Sequence, residues 1–122
     1  MHSTLHNKIA CITYRCMDLN SWQSQLRKGA AELVVLAVLA KQEAYGLQIL
    51  DRSNQAGEIV SDGALYPLLT RLEKAGKIAA RWDMVEGTNP RKYYRLTPEG
   101  EAMLAEMRRL WGGFRGMMDT LV

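Results

Sequence analysis

The chain has 122 residues, 48% of them hydrophobic, and a formal net charge of +3, which suits one small domain with a core of limited size. No apolar run reaches the roughly 18 residues a membrane-spanning helix needs, and the start lacks the continuous apolar stretch and small-residue cleavage site of a secretory signal, so the cytoplasm is the expected compartment. The charge is unevenly spread: from Arg71 to Arg95 there are seven basic and three acidic residues, while the segments on either side balance or lean acidic. A positive patch of this kind is the footprint of a polyanionic partner, although a solvated surface of mixed charge has the same look.

Residues 1–17 are expected to form a disordered leader. They hold both cysteines, Cys11 and Cys16, with His2 and His6 nearby. The C-x-x-x-x-C spacing matches neither a disulfide framework nor a usual zinc site, so no metal and no cofactor is expected. Met17 offers a more ordinary start, so the first sixteen residues read as an over-extended gene start.

A first helix is expected over Ser21–Ala40, containing "AAELVVLAVLA", which is apolar almost all round, as a buried helix is. "KQEAYG" reads as a turn. A second helix follows over about Tyr45–Gln55, with Tyr45, Ile49 and Leu50 inward and Gly57 as its C-terminal cap. The third, "SDGALYPLLTRLEKAGKI", opens at Ser61 or Asp62 as N-cap and closes at Gly76. Its leucines at 65, 68, 69 and 72 gather within about 60° on a helical wheel. The opposite side carries Gly63, Tyr66, Pro67, Thr70 and Lys74, with Arg71 at its edge. This face has donors, a phenol and cations, and its only carboxylate is Asp62 at the start. Gly63 permits close approach of backbone to a phosphate, and it is also the least crowded residue to stand four before Pro67. The first turns of a helix favour phosphate through free N–H groups and the dipole. The face therefore suits DNA, against the plainer reading of an ordinary surface helix.

"IAARWD" and "RKYYRL" alternate with period 2, joined by turn residues Gly87, Asn89 and Pro90. Ile78, Ala80 and Trp82 share one face of the first strand. Tyr94 and Leu96 share one face of the second, with Arg91, Tyr93 and Arg95 on the other. Thr97 then caps a last helix, with Pro98 at its first position and Glu99 near the positive helix end. The order predicts a mainly α protein with a two-stranded β wing: a winged helix-turn-helix over residues 18–96 and a C-terminal helix over 97–122. In that design the second helix of the motif lies in the major groove.

In the last helix Leu104, Met107, Trp111, Phe114, Met118 and Leu121 step by alternate threes and fours, a heptad seam for packing on another helix. Met103, Leu110 and Met117 widen it, and a face so wide is an aggregation hazard if left bare. The partner is a second copy of the chain or the chain's own first helix. Gly112, Gly113 and Gly116 each cost about 1 kcal/mol of helix propensity, so this helix depends on packing.

An enzyme is not expected. The only histidines are in the leader, no nucleophile-elbow, phosphate-loop or dinucleotide motif occurs, and no paired carboxylates share a predicted face with an apolar pocket.

"LRKGAAELVVLAVLAKQEAYGLQIL", "SDGALYPLLTRLEKAGKI" and "RKYYRLTPEG" resemble the PadR-like transcriptional regulators, whose pattern runs L-x-K-G, Y-G, G-[TS]-L-Y-P-x-L-x-R-L-E-x-x-G-x-I and R-K-Y-Y-x-L-T-x-x-G. The likeness covers Leu26 to Gly100 and is to the short form with a single C-terminal helix. It implies a homodimeric repressor with a winged-helix domain that binds a double-stranded DNA operator. Tyr66, Thr70, Arg71 and Lys74 would then face the groove, Arg91 and Lys92 would hold the wing against the DNA backbone, and the last helix would dimerise with help from the first. Ala64 departs from the pattern, standing where a hydroxyl residue is usual. In short, drug-binding relatives a tryptophan at the place of Trp111 lines a flat apolar pocket. Met107, Trp111 and Phe114 are thus candidates for a pocket taking a small apolar effector, or else Trp111 is simply core of the interface. The rival function is a winged-helix module for protein–protein contact without specific DNA binding.

Overall fold

The computed structural model describes the backbone of residues 5–84 and 86–122, and the side chains of these from residue 18 onward. Helix α1 spans Leu5–Lys41, strand β1 Ala44–Tyr45, helix α2 Gly46–Ser53, helix α3 Asp62–Lys74, strands β2 and β3 Ile78–Asp83 and Arg91–Leu96, and helix α4 Pro98–Leu121. The architecture is mainly helical with a small antiparallel sheet, a winged helix. The side chains of the expected leader and its Cys/His group lie outside the described residues.

The expected elements are present with three differences. The first helix begins at Leu5, not at Ser21. The "KQEAYG" turn contains β1, which pairs with β3 as Ala44 opposite Tyr94 and Tyr45 opposite Tyr93. The sheet therefore has three strands in the order β1-β3-β2, and Tyr45 caps α2 from a strand instead of lying within the helix. Finally, α2 ends at Ser53 with Asn54, not Gly57, as its C-cap. Asn54 Oδ1 accepts from the N–H groups of Ile59 at 2.8 Å and Val60 at 2.9 Å, and its Nδ2 donates to the Val60 carbonyl at 2.7 Å. One side chain thus stands in for the backbone partners the loop lacks.

The core is one cluster. Val35, Leu36 and Leu39 of α1, Ile49 of α2, Leu65, Leu68, Leu69 and Leu72 of α3, Ile78 and Tyr94 of the wing, and Leu104 of α4 are all buried. The period-2 reading of the wing holds: Ile78 lies opposite Leu96, Ala80 opposite Tyr94 and Trp82 opposite Lys92. The inner face thus runs from the buried Ile78 and partly buried Leu96 outward to Trp82, which is 62% exposed. Gly87, at φ +81°, makes the hairpin turn.

Helix α4 starts as the sequence predicts. Thr97 Oγ1 accepts from the Gly100 N–H at 3.0 Å and donates to the Gly76 carbonyl at 2.6 Å. Gly100 sits so close to the Lys77 backbone that an added Cβ would overlap the Lys77 carbonyl. This contact ties the end of α3, the start of β2 and the start of α4 together.

Candidate nucleic-acid interface

Helix α3 is set by its buried leucines and by its cap, where the Ala64 N–H donates to Ser61 Oγ at 3.2 Å. With that face in the core, Gly63, Tyr66, Pro67, Thr70, Arg71 and Lys74 are all exposed on the other. A Cβ at Gly63 would meet nothing within 4 Å, so the packing of the chain itself makes no demand for glycine there. Tyr66 leans over the first residue of α2: a Cβ on Gly46 would lie 2.9 Å from Tyr66 Cε1. The Thr70 hydroxyl donates to the Tyr66 carbonyl at 3.0 Å, leaving its methyl group and its acceptor lone pairs for a partner. Arg71 approaches Glu32 of α1 at only 3.9 Å and stays largely exposed. Lys74 makes no ion pair among the described residues.

The wing brings a second set of cations, arranged by strand alternation. On the outer face, the Arg91 guanidinium lies 4.6 Å from the Tyr45 ring centre and Arg81 lies 4.8 Å from that of Tyr93. The two tyrosines meet edge to face at 5.4 Å. Arg81 also pairs with Glu43, its Nε donating to Glu43 Oε2 at 3.1 Å, and this hydrogen bond holds the Glu43 carboxyl below its usual range. On the inner face Lys92 turns toward α3. Its Nζ donates to Glu73 Oε1 at 3.2 Å and lies 5.3 Å from the Tyr94 ring centre. The hydrogen bond to Glu73 raises the Lys92 pKa. The charge of Lys92 thus already has a partner within the chain, whereas Arg91 rests on a ring and meets no carboxylate in that contact.

Between α3 and the wing runs a cleft of about 580 Å³, lined by Tyr45, Leu47, Tyr66, Trp82, Arg91 and Lys92 among others. Its lining mixes aromatic rings with cations and contains no carboxylate. Leu47, Trp82 and Glu73 are not among the site residues expected from the sequence. Trp82 was legible from its alternation with Ile78 and Ala80. Glu73 was not, because its partner lies in another element.

The seam of α4 divides in two. Leu104 is buried and Met107 packs against the core, while Trp111, Phe114, Met118 and Leu121 are exposed, as are Leu19, Trp22 and Leu26 on α1. Trp111 and Phe114 stand 6.2 Å apart, centre to centre. With Trp22, Leu26 and Leu33 of α1 they line an apolar cleft of about 350 Å³. Of the three residues expected to line a ligand pocket, Trp111 and Phe114 line this cleft, and Met107 packs against the core. Among the described residues no helix is long and apolar enough to cross a membrane.

Comparison with known proteins agrees with this geometry. Residues 35–106 match the model of the transcriptional regulator PadR-like family. The chain is 36% identical to the transcriptional regulator Rv3488 of Mycobacterium tuberculosis over 70% of its own length and 78% of that protein's. The crystal structure of a PadR family transcriptional regulator from Eggerthella lenta superposes with a TM-score of 0.79 at 34% identity, covering 90% of this chain and 96% of that one. A PadR-like regulator from Bacillus cereus gives 0.71 at 32% identity, covering 80% and 95%. Family model, relatives and fold agree that this chain belongs to the PadR-like family of transcriptional regulators.

Proposed function

We propose that this regulator is a cytoplasmic, homodimeric repressor that binds a double-stranded operator specifically and is released by a small apolar ligand. The observation that carries the DNA part is the exposed face of α3. It offers Tyr66, Thr70, Arg71 and Lys74 with no carboxylate among them, held rigidly by four buried leucines behind. Tyr66 and Thr70, near its middle, would meet base edges, and Arg91 on the wing the phosphate backbone. Phosphate contacts release counterions and carry no sequence information, whereas base contacts discriminate.

Dimerisation is supported by the apolar halves of α1 and α4, which one chain leaves open to solvent. The cleft with Trp22, Trp111 and Phe114 falls in the volume range of small-molecule sites and adjoins this face. An apolar ligand there would alter how two copies pack, and hence the spacing of their two α3 helices.

The test is affinity measured across a salt series, on an operator selected from genomic fragments and on a scrambled duplex. Arg91→Ala should weaken both and flatten the salt slope by about one unit. A wild-type protein that binds neither duplex, or binds both equally, overturns the reading in favour of a protein-contact module.

A further inference from the structure

Glu73 is the one carboxylate of α3 beyond its first residue, and it sits in the last turn, on the side facing the wing. A carboxylate there repels any phosphate strand entering the cleft between α3 and β3. Lys92 meets it at 3.2 Å, and the two side chains keep only 33% and 38% of their exposure. Three features fix Lys92 in that direction. Strand register places it on the inner face, opposite Trp82. The neighbouring inner residue of β3, Tyr94, is 7% exposed and anchored in the core. The ammonium also lies over the Tyr94 ring, a cation–π contact that favours the same rotamer. The bridge thus starts from a core-anchored part of β3 and ends on the reading helix, and Lys92 itself lines the cleft.

We propose that Lys92 is a positioning residue: through Glu73 it ties the wing to α3, fixes the width of the cleft between them, and masks a carboxylate that would oppose a DNA strand. This assigns Lys92 a role other than direct anchoring of phosphate, and it rests on the DNA-binding reading above. The two roles have different signatures. A phosphate anchor acts alone and contributes to the salt slope. A positioning residue acts only through its partner, so once the partner's charge is removed its own loss costs nothing further.

The experiment compares wild type, Lys92→Met, Glu73→Gln and the double variant in the full-length protein. Methionine keeps the apolar stem of lysine. Affinity for the operator and scrambled duplexes is followed across salt, and thermal unfolding and the Trp82 indole N–H resonance are followed without DNA. Lys92→Met should weaken operator binding about tenfold, while the double variant should bind within about twofold of Glu73→Gln alone, with an unchanged salt slope. Without DNA, either single variant should move the Trp82 resonance, and the two losses of Tm should be non-additive. A double variant weaker than Glu73→Gln by the same factor that separates Lys92→Met from wild type, with a slope lower by about one unit, overturns the proposal and makes Lys92 a phosphate anchor. Additive Tm changes with an unmoved Trp82 resonance overturn it as well. Failure of the wild type to bind DNA sinks the parent reading instead, and the DNA-free measurements still decide whether the bridge positions the wing.

Discussion

Tyr66 on α3 covers Gly46 at the start of α2 so closely that a single methyl on Gly46 would lie 2.9 Å from the edge of the ring. The clash is with the free end of a half-exposed side chain, which can swing away. Gly46→Ala should therefore change thermal stability little, while operator affinity should fall because Tyr66 is displaced on the proposed reading face. Gly100 is the contrast, since there a methyl meets the Lys77 backbone, which has nowhere to go. Gly100→Ala should cost about 1–3 kcal/mol of stability, the usual range for overpacking. A denaturation curve beside a binding curve for each variant separates the two outcomes. Equal stability losses at both positions would contradict this account.

Asn54 is expected to be worth more than its place in a loop suggests. Asn54→Ala leaves the Ile59 and Val60 N–H groups and the Val60 carbonyl without their partner, and should lower stability by about 1–3 kcal/mol. Asn54→Asp keeps the acceptor but loses the donor to Val60, so it should fall between wild type and alanine in urea unfolding.

Thr70 tests the proposed reading face directly. Its hydroxyl proton is given to the Tyr66 carbonyl, so its methyl group and acceptor lone pairs face outward. Thr70→Ala should cost roughly 1–3 kcal/mol on the operator and leave scrambled DNA unaffected. Thr70→Val, which keeps a methyl, separates the two modes: retained affinity points to apolar contact with a thymine methyl, and lost affinity to the oxygen as acceptor. Equal weakening on both duplexes by Thr70→Ala would show that this face does not read sequence.

The open seam of α4 makes a prediction about mass. Light scattering at tens of micromolar, where dimers of ordinary affinity persist, should give twice the chain mass. Phe114→Glu should shift it toward the monomer without unfolding the core, because Phe114 is 49% exposed in the single chain. A wild-type monomer at that concentration would end the dimer proposal.

What the sequence made legible follows from range. The leucine spacing of α3, its Ser61 cap, the alternation of β2 and β3, and the Thr97–Pro98 start of α4 are local patterns, and each appears where it was expected. The features that escaped are made by tertiary contact. A two-residue strand has no periodicity, so β1 exists only because β3 passes beside it. Asn54 ends α2 ahead of the better-known glycine signal because its side chain reaches six residues along the loop. The direction of Lys92 depends on Glu73, and the Trp111 cleft depends on Trp22 and Leu26, contributed by α1 from the far end of the chain. Met107 fits the heptad as well as Trp111 does, but only the fold shows that one turns to the core and the other to the open face.

The pairing of β1 with β3 also sets an order of events when the chain first folds. Ala44 and Tyr94 meet only after α2, α3 and β2 have been bracketed between them, and closing so long a loop costs entropy that local helix formation does not. During synthesis β1 must wait, unpaired, until β3 has left the ribosome, while α1 and the α2–α3 pair can already collapse on their shared leucines. Closure of β1 onto β3 then completes the contacts among Tyr45, Tyr93, Arg81 and Arg91.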